Sequence, residues 1–179
     1  MLKIQNEIDL PPLGPGWAGA VMGLGISSTL IDVHVTPLLG PAPSKAMLGA
    51  ATILAISLVF GFLKHHNPGF YAADMPAWGM VSMGILSLGS AYSLIYDAWS
   101  VHTLCWAIGT VLGAVTCIRF LMFLICDHPS APAFTWGLPL VAPMVAATSS
   151  AQLAPHAGEW GSIVHSIGVI SFALAWLTG

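Results

Sequence analysis

The chain has 179 residues, 56% of them hydrophobic and 6% charged, with a mean hydropathy of +0.85. A soluble domain carries about a quarter charged residues, so four basic and seven acidic side chains cannot coat a water-facing surface of this size. The net charge of −3 argues against a nucleic-acid partner, and the solvent for most of this surface is the lipid bilayer.

Six apolar stretches follow in chain order, from Gly16 to Thr36, Ala46 to Leu63, Ala77 to Tyr96, Val101 to Cys126, Thr135 to Leu153 and Trp160 to Thr178. A helix needs about 20 apolar residues to cross ~30 Å of hydrocarbon. The runs are continuous in Leu, Ala, Gly and Ile rather than alternating, which speaks against an outer-membrane barrel. Backbone amides in lipid must be satisfied within their own segment. The expected fold is therefore all-α: a polytopic membrane protein with one transmembrane domain over 1–179 and six helices paired as three hairpins.

Ahead of the first span lie Lys3, Glu7 and Asp9, then prolines. This start lacks the basic region of a secretion signal, so the first span is expected to be retained. That span holds Gly16, Gly19, Gly23, Gly25 and Ser27. Gly19 and Gly23 have the small-xxx-small spacing that lets helices approach closely. Missing side chains also leave open volume, as a pore wall requires. A connector rich in Pro and Gly, Pro37 to Lys45, leads to the second span.

Pro76 opens the third span, which contains Ser82. The fourth repeats the small-residue spacing at Gly109 and Gly113. Its Arg119 either snorkels to the interface or faces an anion path. Cys105, Cys117 and Cys126 lack metal-type spacing and read as small apolar residues. The fifth span carries Pro139 and Pro143, and helix-interior prolines kink a helix. Its Ala142, Ala146 and Ser150 lie in register. The sixth reaches Gly179 with no polar tail, as expected of the N-terminal part of a longer transporter.

The short connectors make consecutive helices antiparallel. With the N-terminus in the cytoplasm, Lys3, Lys64 and Arg119 fall inside and Lys45 outside, which the positive-inside rule favours. The expected location is thus the plasma membrane, multi-pass. Asp32, His34, Asp97, His102, His156, Glu159 and His165 then gather toward the outer side. Their irregular spacing suits span-end anchoring better than a metal or proton site. His65, His66 and His128 read as interfacial residues of the inner side. Trp17, Trp78, Trp99, Trp136 and Trp160 sit near span ends, as an aromatic belt does. Nucleotide loop, HExxH, GxSxG, redox CxxC and a mid-membrane haem-type histidine pair are all lacking, so neither an enzyme, a cofactor nor a bound metal is expected.

Three segments carry a family resemblance: Gly16–Gly25 (GWAGAVMGLG), Met75–Gly84 (MPAWGMVSMG) and Thr135–Ala147 (TWGLPLVAPMVAA). They resemble the first, third and fifth spans of the tellurite-resistance/dicarboxylate transporter family, which includes malate permeases, sulfite exporters and plant slow anion channels. The resemblance runs over the whole chain. It implies a pseudo-symmetric fold of five hairpins, with ten helices in all. Odd-numbered helices surround a pore and even-numbered ones form an outer ring, often in homotrimers. Carried over, Gly19, Gly23, Ser27, Ser82, Pro139 and Pro143 become candidate pore-lining residues. The cargo would be a small anion: malate or another C4-dicarboxylate, sulfite, a tellurite-related species, chloride or nitrate. Six spans cannot close such a pore, so further helices or a partner chain are implied. The alternatives are a non-transporting membrane subunit that scaffolds a larger complex, and a membrane enzyme or metal site built on the outer histidines and carboxylates.

Overall fold

The computed structural model describes residues 15–65, 76–127 and 136–178. Lys3, Glu7 and Asp9, His66 and the rest of that connector, and His128 to Pro132 lie outside the described residues. The helices are α1 (Ala18–His34), α2 (Thr36–Leu39), α3 (Ala42–His65), α4 (Ala77–Tyr96), α5 (Trp99–Asp127), α6 (Gly137–Leu153) and α7 (Gly161–Thr178). Single 3₁₀ turns at Pro15–Trp17, Ala154–His156 and Gly158–Trp160 join or extend them. Strands are absent among the described residues. Five helical segments are long and apolar enough to span a bilayer: Pro15–His34, Ala42–Lys64, Ala77–Tyr96, Trp99–Cys126 and Gly158–Thr178. The chain is an all-α, multi-pass membrane protein.

Helix ends follow local chemistry. α3 begins at Ala42, four residues before the expected start, because Pro43 tolerates a first helical turn, where its missing N–H costs nothing. The α1–α3 turn is tied by hydroxyls. Ser44 Oγ lies 2.8 Å from Asp32 Oδ1, and Thr36 Oγ1 donates to the same oxygen at 3.2 Å. Gly40 makes the bend at φ 79°. α4 ends on Asp97, whose left-handed φ of 56° lets its N–H and that of Ala98 both reach the Tyr92 carbonyl.

α6 has 17 residues, about 26 Å at 1.5 Å per residue. It is the one expected span that is not among the five, and seven of its residues are buried against neighbouring helices. Pro139 stands in its first turn, where no helical hydrogen bond is lost. Only Pro143 is interior, and the helix continues through it.

The three hairpins α1/α3, α4/α5 and α6/α7 form two rows. α4 lies between α1 and α6 and packs on both, giving an inner row of α1, α4 and α6. α3 backs α1, α5 backs α4 and α6, and α7 backs α6. Half of the α4 span is buried, more than in any other candidate span. The α4–α5 seam is close because Gly109 and Gly113 face it. A Cβ on Gly109 would come within 2.6 Å of Leu86, and one on Gly113 within 2.7 Å of Ser82 Oγ. Ser82 Oγ in turn donates to the Gly109 carbonyl at 2.7 Å.

Candidate functional site

The exposed faces of the two rows differ in kind. Along α5, Val101, Leu104, Ile108, Val111, Val115, Ile118, Met122 and Ile125 are all exposed. Ile53, Ile56, Val59, Phe60 and Leu63 do the same on α3, and Ile163, Val169, Ile170, Phe172, Trp176 and Leu177 on α7. Such bulky apolar faces suit acyl chains. On α1 and the 3₁₀ turn before it, the exposed stripe instead begins with Gly16, Ala20 and Gly23, with Ser27 half-buried on the same side, and turns bulky past Gly23 at Ile26, Leu30 and Val33. A Cβ on Gly16 or Gly23 would meet nothing within 4 Å. On α6 the exposed stripe is Gly137, Val141, Thr148 and Ala151, with Met144 half-buried among them. These are i, i+4, i+7 rows, so each is a single helix face.

The sequence-derived candidates separate accordingly. Gly23 and Ser27 lie on the open α1 stripe. Gly19 is turned toward α4, where its Cβ would sit 3.0 Å from Met80 Sδ. Ser82 is fully buried at the α4–α5 seam. Pro139 and Pro143 are buried among the helices packed around α6. The stripe residues Ala20, Thr148 and Ala151 were not singled out by the sequence, and Gly16 was marked only as one of the small residues of its span. Their signal was helical register, with Gly23 on α1 and with Gly137 on α6, visible only once the exposed side is known.

A buried polar cluster joins the inner row to α5. His102 is fully buried, one turn into α5. Its Nδ1 is 2.9 Å from Ser93 Oγ on α4, and its Nε2 is 2.9 Å from Ser149 Oγ on α6. Gln152 on α6 donates to Ser93 Oγ at 3.1 Å, and Ser93 Oγ donates to the Ser90 carbonyl at 2.9 Å. With its only proton committed there, Ser93 accepts from His102 Nδ1–H, which leaves Nε2 to accept from Ser149. His102 is thus an interhelical bridge, which corrects its reading as a span-end anchor. Trp106 Nε1 adds a second α5–α6 tie, donating to Ser150 Oγ at 2.7 Å. The Trp99 ring stacks on His156 with centroids 3.5 Å apart, tying the start of α5 to the α6–α7 turn.

Charge is divided between the two ends of the bundle. Lys64 and Arg119 lie toward the end where α4 and α6 begin, and both are exposed on outer helices. Asp32, Asp97, Glu159 and Lys45 lie toward the opposite end. Among the described residues no group of three His, Cys, Asp or Glu side chains could hold a metal ion.

No curated protein and no solved structure matches the chain. Residues 12–179 match the family described as SLAC1, voltage-dependent anion channel, which bears out the resemblance drawn from the first, third and fifth spans. With that match over nearly its whole length, the chain belongs to the SLAC1 family of anion channels and permeases.

Proposed function

We propose that the chain supplies part of the wall of a pore for small anions, with α1, α4 and α6 on the pore side and α3, α5 and α7 toward lipid. The observation that carries this is the contrast of exposed faces. Gly16, Ala20 and Gly23 at the start of the first span and Gly137, Thr148 and Ala151 on α6 leave volume and offer a hydroxyl, interrupted by Val141 and followed on α1 by Ile26, Leu30 and Val33, whereas the exposed faces of the outer helices are bulky and apolar along their length. Ser27, Thr148 and backbone dipoles would contact a passing anion weakly, giving fast passage with little binding. Gly19, Ser82, Pro139 and Pro143 would shape the wall from behind by fixing where α1, α4 and α6 cross. The remaining wall would come from further helices, in the same polypeptide or another subunit, with a homotrimer as the expected assembly. The cargo class is small inorganic anions and carboxylates such as malate or sulfite. Lys64 and Arg119 at one end favour a cytoplasmic position for that end and the N-terminus, and a plasma-membrane location is part of this reading.

Anion flux from liposomes carrying the full-length protein tests this reading, and conductance of cations alone would overturn it. The same small-residue stripes also suit close helix packing, which favours a second reading: seats for helices of a larger complex that does not conduct. A bulky side chain on a stripe that stops flux in an intact assembly supports the pore. One that breaks the assembly supports the scaffold.

A further inference from the structure

α3 and α5 occupy equivalent places behind the inner row, yet they pack differently. α5 packs closely on α4 at Gly109 and Gly113. Between α3 and α4 an apolar slot of about 210 Å³ opens. Its floor is Ala18, Val21 and Gly84, and its walls are Ala55, Leu58 and Val59 on α3 against Val81, Ile85 and Leu88 on α4. Beyond Leu88, one turn further along α4, Thr52 Oγ1 and the Tyr92 hydroxyl tie α3 to α4 at 2.9 Å. At the opposite end Phe62 and Trp78 form its lip, edge to face with centroids 5.2 Å apart.

Three properties point to one occupant. The walls are wholly apolar and belong to membrane-spanning helices, so water gains nothing there. From Trp78 to Leu88 the slot runs about 15 Å at 1.5 Å per residue, half of a ~30 Å hydrocarbon core and so one leaflet deep. At its lip the exposed Lys64 follows Leu63, which puts a cation at head-group height, where anionic lipid is attracted.

We propose that this slot holds one acyl chain of an anionic phospholipid, with its phosphate at Lys64. The site is distinct from the anion path, and the proposal does not depend on conduction.

The test uses the full-length protein in phosphatidylcholine vesicles containing small mole fractions of phosphatidylglycerol brominated at mid-chain, or of phosphatidylcholine brominated likewise. Bromine quenches nearby indoles. The signal of Trp78 is read as the difference between the protein and its Trp78→Phe variant. The expected result is quenching that saturates with brominated phosphatidylglycerol at a mole fraction several-fold below that needed with brominated phosphatidylcholine. Ala55→Phe and Val81→Phe, filling the slot from opposite walls, should each remove the saturating component. Lys64→Gln should make the two lipids equivalent, while Ile108→Phe on the α5 lipid face should change nothing. Equal quenching by the two lipids in the unaltered protein, or saturation that survives both filling variants in folded protein, overturns the proposal.

Discussion

His102 Nε2 on α5 and Ser149 Oγ on α6 lie 2.9 Å apart in a fully buried setting, 47 residues apart in the chain. The bond crosses from the outer row to the inner row and, with Ser93 on the other ring nitrogen, makes one imidazole the junction of three helices. Membrane hydrogen bonds of this kind average ~0.6 kcal/mol in double-mutant cycles and reach ~1.7. His102→Ala and Ser149→Ala should therefore show a coupling energy of about 0.5–1.5 kcal/mol in a cycle read by unfolding in mixed micelles. His102→Ala alone should cost more than Ser149→Ala, because it removes both ring hydrogen bonds and leaves a cavity, although Ser93 keeps Gln152 and the Ser90 carbonyl as partners. Strict additivity would show that the two side chains do not meet.

The α4–α5 seam is predicted to be intolerant of volume. Gly113→Ala would place a methyl group 2.7 Å from Ser82 Oγ, where Ser82 already donates to the Gly109 carbonyl. The expected loss is about 1–3 kcal/mol, the usual cost of overpacking. Gly49→Ala, on the same criterion, meets nothing within 4 Å and should be neutral or stabilising by up to about 1 kcal/mol through helix propensity. Thermal unfolding of the two variants checks the contrast.

Gly23→Trp should reduce anion flux at least tenfold in liposomes while leaving the unfolding temperature and assembly unchanged. Nothing lies within 4 Å of a Cβ at that position, so an indole enters open space rather than a packed seam. Ile118→Trp, on the exposed α5 face, should leave flux intact. Equal effects at both positions would remove the assignment of the α1 stripe to the path.

Thr110 Oγ1 is the buried side-chain polar atom without a hydrogen-bond partner among the described residues. An unsatisfied buried hydroxyl costs about 1–3 kcal/mol, and an apolar replacement of the same shape recovers it. Thr110→Val should thus raise the unfolding temperature. A fall would show that the hydroxyl has a partner in the assembled protein.

The α1–α3 turn offers a more local test. Asp32 Oδ1 gathers the hydroxyls of Ser44 and Thr36, and Asp32→Ala removes that shared acceptor, leaving the buried Ser44 hydroxyl to the Pro41 carbonyl at 3.0 Å. About 1 kcal/mol is the expected loss, with faster hydrogen exchange confined to residues 32–45.

Much of the fold was legible without coordinates. Continuous apolar runs of bilayer length specified helices, because lipid cannot satisfy a broken backbone. The Pro- and Gly-marked turns specified antiparallel hairpins, and Gly109 with Gly113 correctly marked a close seam. The same spacing at Gly19 and Gly23 was ambiguous. One of the pair faces Met80, and the other faces open space.

What the sequence alone determined is the membrane class, the order of the hairpins and membership of the anion-channel family. Only the tertiary structure decided which face of each helix is enclosed. In lipid the buried and the exposed sides of a helix are equally apolar, so no hydrophobic periodicity separates them. The distinction rests on side-chain size and on hydrogen bonds such as those of His102, whose partners on α4 and α6 meet only when three helices are packed together.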